Sequence, residues 1–103
     1  MRNRARVAIL GCGRVSKRYR QVFLDELAES AEVVVAADLD PTKAEMFAND
    51  FNCEAGNGVQ QIISASPDLV CILTESGKHA EHALSLMKAG LNVLVEKPVA
   101  LRI

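Results

Sequence analysis

The sequence predicts an α/β domain built on a doubly wound parallel sheet. Short runs such as Val7-Ala8-Ile9-Leu10 and Leu69-Val70-Cys71-Ile72-Leu73 are apolar at every position. They alternate with segments whose apolar residues recur at helical spacing. Strands apolar on both faces need helices on both sides, which is the parallel-sheet arrangement. The first two runs also end on chemistry, Gly11-Cys12-Gly13 after one and Asp38 after the next.

The elements follow in order. After Val7–Leu10, Val15, Tyr19, Val22, Phe23 and Leu27 mark a first helix. Val33-Val34-Val35-Ala36-Ala37 is the second strand, closing on Asp38. Asp40 suits a helix cap and Pro41 the first helical position, with Ala44, Phe47, Ala48 and Phe51 on one stripe. Residues 52–57 are turn-rich and hold a short third strand around Cys53-Glu54-Ala55. Val59, Ile62 and Ile63 belong to a small helix ending near Ser66-Pro67. Leu69–Leu73 is the fourth strand. A last helix runs from His79 to Ala89, with Ala80, Ala83, Leu84 and Met87 expected on its buried face, and Gly90 stops it. Val93-Leu94-Val95 is the fifth strand. Right-handed crossovers then give the strand order 3-2-1-4-5.

Composition narrows the function. The 103 residues make one domain, and the apolar half of them can build a core. Twelve basic and 13 acidic residues nearly balance, and no basic block or aromatic interleaving suggests nucleic acid. The apolar runs, about five residues long, are too short to span a bilayer, and no signal-like segment follows the basic N-terminus. Three widely spaced cysteines form neither a disulfide framework nor a zinc motif, so a cytoplasmic setting is expected. His79 and His82 stand three apart without a third ligand. They read as a helix-start histidine and a solvated one, and no metal site is expected.

Gly11, Gly13 and Ser16 occupy the spacing of a dinucleotide-binding turn of the Rossmann type. The first glycine allows the tight turn, the second lets a pyrophosphate approach the backbone, and the third position must be small. Serine stands there in place of glycine or alanine. The phosphate would rest on the helix N-terminus. Arg14, inside the turn, is a candidate cofactor contact, as is Val15. Lys17, Arg18 and Arg20 read as a solvated helix face. Asp38 lies 25 residues after Gly13, near the spacing at which an acid accepts the adenosine ribose hydroxyls. Leu39 beside it, also placed at the cofactor, brings no arginine for a 2′-phosphate. NAD is therefore the expected cofactor, with Lys43 leaving NADP open.

With the glycine turn, Asp38, the stretch from Thr74 to His79 and above all Ala89-Gly90-Leu91-Asn92-Val93-Leu94-Val95-Glu96-Lys97-Pro98, the chain resembles the Gfo/Idh/MocA family of NAD(P)-dependent oxidoreductases. The Glu-Lys-Pro triplet is the family's most specific marker. The resemblance implies that Lys97 is catalytic, lying beside the nicotinamide and the substrate carbinol, with Glu96 near the nicotinamide ribose and Pro98 after it. A lysine partly desolvated under a bound cofactor could assist deprotonation of a hydroxyl. Thr74 and His79 match a family turn of the Thr-Pro-Asn-x-x-His kind at the nicotinamide side, while Glu75 and Ser76 depart from it.

The resemblance further implies a small-molecule substrate that is a sugar, a sugar derivative or a nucleotide sugar, and a second, sheet-rich domain that the five residues after Pro98 cannot supply. The chain is therefore expected to be the cofactor half of a dehydrogenase, binding without turnover alone, from a protein that is a homo-oligomer through that other domain. The alternative is a stand-alone NAD(H)-binding sensor or regulatory module. Lys97 separates the two, because a pure binder has no need of an ammonium at the nicotinamide end.

Overall fold

The computed structural model describes residues 4–12, 16–25, 29–73 and 76–95, with 16–20, 76–80 and 95 described by backbone alone. Five strands form one sheet: β1 (Ala5–Leu10), β2 (Ala31–Ala37), β3 (Glu54–Gly56), β4 (Leu69–Ile72) and β5 (Val93–Val95). Their order is β3-β2-β1-β4-β5, and every pairing is parallel. The expected strand order is the one observed. The chain leaves β1 for β2 on one side and returns to β4 on the other. The switch point, where ligands bind in such sheets, therefore lies beyond the ends of β1 and β4.

The helices are α1 (Ser16–Asp25), α2 (Pro41–Phe51), α3 (Val59–Ala65) and α4 (Ser76–Lys88). Two cores result, one on each sheet face. Phe23 of α1 and Phe47 and Ala48 of α2 pack with Val7, Ile9 and Cys71. Ile62 of α3 and Leu86 of α4 pack with Ala8, Leu10, Val70 and Ile72 on the other face. Phe47 and Phe51, one helical turn apart, stack with ring centroids 5.2 Å apart.

Local chemistry sets the helix ends. The Asp40 carboxylate accepts the Thr42 N–H at 3.0 Å, with Pro41 at the first helical position. Asn52 ends α2 in the left-handed region, at φ 57°, which asparagine tolerates better than most residues. Gly90 (φ 87°) turns the chain out of α4, its N–H bonding the Met87 carbonyl at 2.9 Å.

Three expectations change. The third strand is Glu54–Gly56, one residue later than expected. Helix α4 begins at Ser76, three residues before His79. Its inner face is also different: Leu84 and Met87 are 58% and 59% exposed, while Leu86 is fully buried and Ala83 packs beside it. Apolar residues at Ala80, Ala83, Leu84, Leu86 and Met87 leave the stripe undetermined by spacing alone. The neighbours on β4 and α3 select Leu86.

A bulge interrupts β2. Val7 pairs with Val33, but Ala8 pairs with Val35, so Val34 is the extra residue. Because strand faces alternate with period two, the insertion resets which residues point where. Val33 and Ala36 consequently lie on the α1–α2 face, and Val35 and Ala37 on the other.

Candidate functional site

The carboxyl ends of β1 and β2 come together around Gly11 and Asp38. Gly11 is buried at φ 103°, a conformation that disfavours any side chain, and its N–H donates to the Ala37 carbonyl at 2.8 Å. The next amide, that of Cys12, donates to Asp38 Oδ2 at 2.7 Å. The other carboxylate oxygen, Oδ1, accepts the Asp40 N–H at 2.8 Å, an Asx turn that leads into α2. The Asp38 N–H reaches the Gly56 carbonyl of β3 at 3.1 Å. On the far side of β1, the Leu73 N–H donates to the Leu10 carbonyl at 2.7 Å, carrying the β1–β4 pairing to the same edge.

Asp38 takes this position because of the bulge. Ala36 shares the face of Cys12, and Asp38 is the next residue in phase with it. Its side chain is half-buried between the glycine turn and the start of α2. Beside it, Leu39 is 75% exposed, an apolar surface at the same rim. The Cys12 thiol lies inward, 3.6 Å from the Ala37 carbonyl. Burial chiefly, then the Asp38 charge and lastly Cys53, push it up to about 12.

Of the residues expected at the site, Gly11, Asp38 and Leu39 are brought together here. Ser16 opens α1, and His79 lies in the first turns of α4, both following strand ends at this edge. Gly13, Arg14, Val15, Thr74, Glu96, Lys97 and Pro98 lie outside the described residues. The strand leading to Glu96 ends at Val95, paired with Ile72 of β4 at the carboxyl edge. Sequence reading missed the Cys12 and Asp40 amides as partners of Asp38. The Asp-x-Asp-Pro run carried a signal for the second, since Asx turns recur before helix caps. Nothing local signalled the first, which spans 26 residues of chain.

The arrangement fits a dinucleotide. Each carboxylate oxygen offers about two acceptor sites, so one remains on each oxygen of Asp38 for a ribose hydroxyl. Among the described residues no group of three or more His, Cys, Asp or Glu side chains could hold a metal ion, and no helix is long and apolar enough to cross a membrane.

Comparison with known proteins agrees with this geometry. Residues 5–103 match GFO_IDH_MocA, the oxidoreductase family with an NAD-binding Rossmann fold. A dTDP-3,4-didehydro-2,6-dideoxy-alpha-D-glucose 3-reductase from Saccharopolyspora spinosa is 38% identical over 100 residues, covering 96% of this chain and 30% of the reductase. The WlbA dehydrogenase from Bordetella pertussis, solved with NADH and UDP-GlcNAcA, superposes with a TM-score of 0.89 at 26% identity, over 97% of this chain and 31% of that one. A 3-ketoreductase from Actinomadura kijaniata, solved with NADP, does so with a TM-score of 0.84 at 27% identity, over 94% and 31%. The chain thus spans about a third of the length of these relatives.

Proposed function

The chain belongs to the GFO_IDH_MocA family of oxidoreductases with an NAD-binding Rossmann fold, and on that footing we propose that it is the cofactor-binding part of an NAD(P)-dependent dehydrogenase. Its substrate is a hydroxyl of a sugar, a sugar derivative or a nucleotide-linked sugar. The observation that carries the cofactor assignment is the Asp38 carboxylate, held 2.7 Å from the glycine-turn amide at the sheet's switch point. The substrate class rests on relatives whose names or bound ligands are dTDP- and UDP-linked sugars, inositol and glucose 6-phosphate.

The residues divide the work by position. Gly11 and Gly13 leave room for the pyrophosphate, Ser16 opens the helix that faces it, and Arg14 and Val15 border it. Asp38 accepts the adenosine ribose hydroxyls, with Leu39 along the adenine side. Thr74 and His79 follow β4 toward the nicotinamide, and Glu96 and Pro98 flank Lys97 there. Lys97 orients the substrate hydroxyl and takes its proton. The cofactor, when bound, supplies the hydride acceptor for the carbinol carbon. A negative carboxylate at the 2′ position favours NAD over NADP. All three cysteines are free, which supports a reducing, cytoplasmic setting.

Two measurements test the proposal. Titration of the chain with NAD(H) is expected to show binding, and its absence overturns the cofactor assignment. In a protein that turns over, Lys97→Ala is expected to cut kcat by about 10²-fold while cofactor affinity stays within about threefold. Unchanged turnover would favour the NAD(H)-binding module instead.

A further inference from the structure

The two amides that open the glycine turn are already spoken for. Gly11 N–H bonds the Ala37 carbonyl at 2.8 Å, and Cys12 N–H bonds Asp38 Oδ2 at 2.7 Å. An N–H makes one strong hydrogen bond, so neither is free for a phosphate oxygen. Their office is to hold the chain where it leaves β1, at a glycine whose φ of 103° no β-sheet pairing enforces.

We propose that Asp38 is a positioning residue for the phosphate turn, so that affinity for the cofactor's diphosphate depends on this carboxylate independently of any ribose contact. The inference rests on the proposed cofactor site for the location of the diphosphate. The Cys12 bond is short and charge-assisted, the stronger class of hydrogen bond. It joins the end of β1 to the end of β2 through a side chain, beyond the last paired residues Leu10 and Ala37. The second oxygen, on the Asp40 N–H at 2.8 Å, fixes the carboxylate plane, so Asp38 cannot swing to another rotamer without losing both amides. The places of Gly11 and Cys12 are thereby set before a ligand arrives. Preorganisation of this kind shows as affinity, because the ligand need not order the turn. The ribose hydroxyls then use the remaining acceptor sites without displacing either amide.

The test separates the turn from the ribose by using ADP and 2′,3′-dideoxyadenosine 5′-diphosphate, which lacks both hydroxyls. Each is titrated against the chain and against Asp38→Ala and Asp38→Asn, with thermal melts as the control for folding. Asp38→Ala is expected to weaken binding of the dideoxy ligand about tenfold, and Asp38→Asn, which keeps one acceptor oxygen, by a smaller factor. In the unaltered chain the Cys12 amide proton is expected to exchange slowly and resonate downfield, and in Asp38→Asn, which removes the charge, to move upfield and exchange faster. This second readout holds even if Asp38→Ala does not fold. Unchanged dideoxy affinity in a folded Asp38→Ala, with ADP affinity reduced, would overturn the positioning role and leave the ribose assignment standing. Equal binding of ADP and the dideoxy ligand by the unaltered chain, both weakened together in the variants, would remove the ribose assignment and support the positioning role. A Cys12 amide unaffected by Asp38→Asn would overturn the inference outright.

Discussion

Asp38 Oδ1 accepts the backbone N–H of Asp40 at 2.8 Å, and the Asp40 carboxylate in turn caps α2 through the Thr42 N–H at 3.0 Å. Two carboxylates therefore flank the rim where the adenosine 2′ position is proposed to lie. Both oppose a 2′-phosphate. Asp40→Ser keeps the helix cap, since serine caps about as well as aspartate, and removes one charge. NADP affinity is expected to rise about fivefold while NAD affinity stays within about twofold. Parallel titrations measure this, and no gain for NADP would show that Asp40 lies away from the 2′ position.

Two glycine substitutions should separate strain from packing. At Gly90 an added Cβ meets nothing within 4 Å, but φ is 87°, so Gly90→Ala is expected to cost about 1–2 kcal/mol of stability and leave cofactor binding unchanged. At Gly56 the added Cβ would lie 2.7 Å from the Gln61 Cβ, a contact that must be relieved by moving the end of β3. The Gly56 carbonyl holds the Asp38 N–H, so Gly56→Ala is expected to cost about 1–3 kcal/mol and to weaken NAD binding as well. Denaturant midpoints and titrations on both variants check the contrast. Equal effects on binding would contradict it.

The buried face of α4 can be checked directly. Leu86→Ala is expected to lower stability by about 2–5 kcal/mol, because a fully buried side chain leaves a cavity. Met87→Gln, at a position 59% exposed, should change it by no more than about 0.5 kcal/mol. A reversed ranking in urea melts would restore the spacing-based stripe.

The thiols bear on alkaline stability. Burial raises Cys12 from 9.0 to about 12, and Cys53 and Cys71 to about 11. Below pH 9 both the folded and the unfolded chain keep these protons, and the full stability is present. As pH rises from 9 toward 11–12 the unfolded chain releases them first, so stability falls. The denaturant midpoint should therefore decline over this window, and less steeply in Cys53→Ala. A decline equal in the variant would assign it to other groups.

Much of this was legible in the residues alone. Apolar runs that alternate with helical stripes, closed by Gly11 and Asp38, define the sheet and its order, because each strand must be covered on both faces and crossovers have one hand. Asp40-Pro41 announces the start of α2 and Gly90 the end of α4, since these depend on side-chain chemistry within a few residues. The inner face of α4 was not legible. Ala80, Ala83, Leu84, Leu86 and Met87 are all apolar, and only the surfaces of α3 and β4 decide that Leu86 goes inside.

The partnership of Asp38 with Cys12 is likewise a product of tertiary structure. Three successive valines, Val33 to Val35, carry no mark of which is the extra one, because valine suits either face of a covered strand. Pairing with Val7 and Ala8 places the bulge at Val34, and the bulge turns Asp38 toward the glycine turn. The sequence by itself thus determined that an acid would end the second strand. Only the register of β2 against β1 decided which way that acid would face, because a shift of one residue exchanges the two faces of a strand.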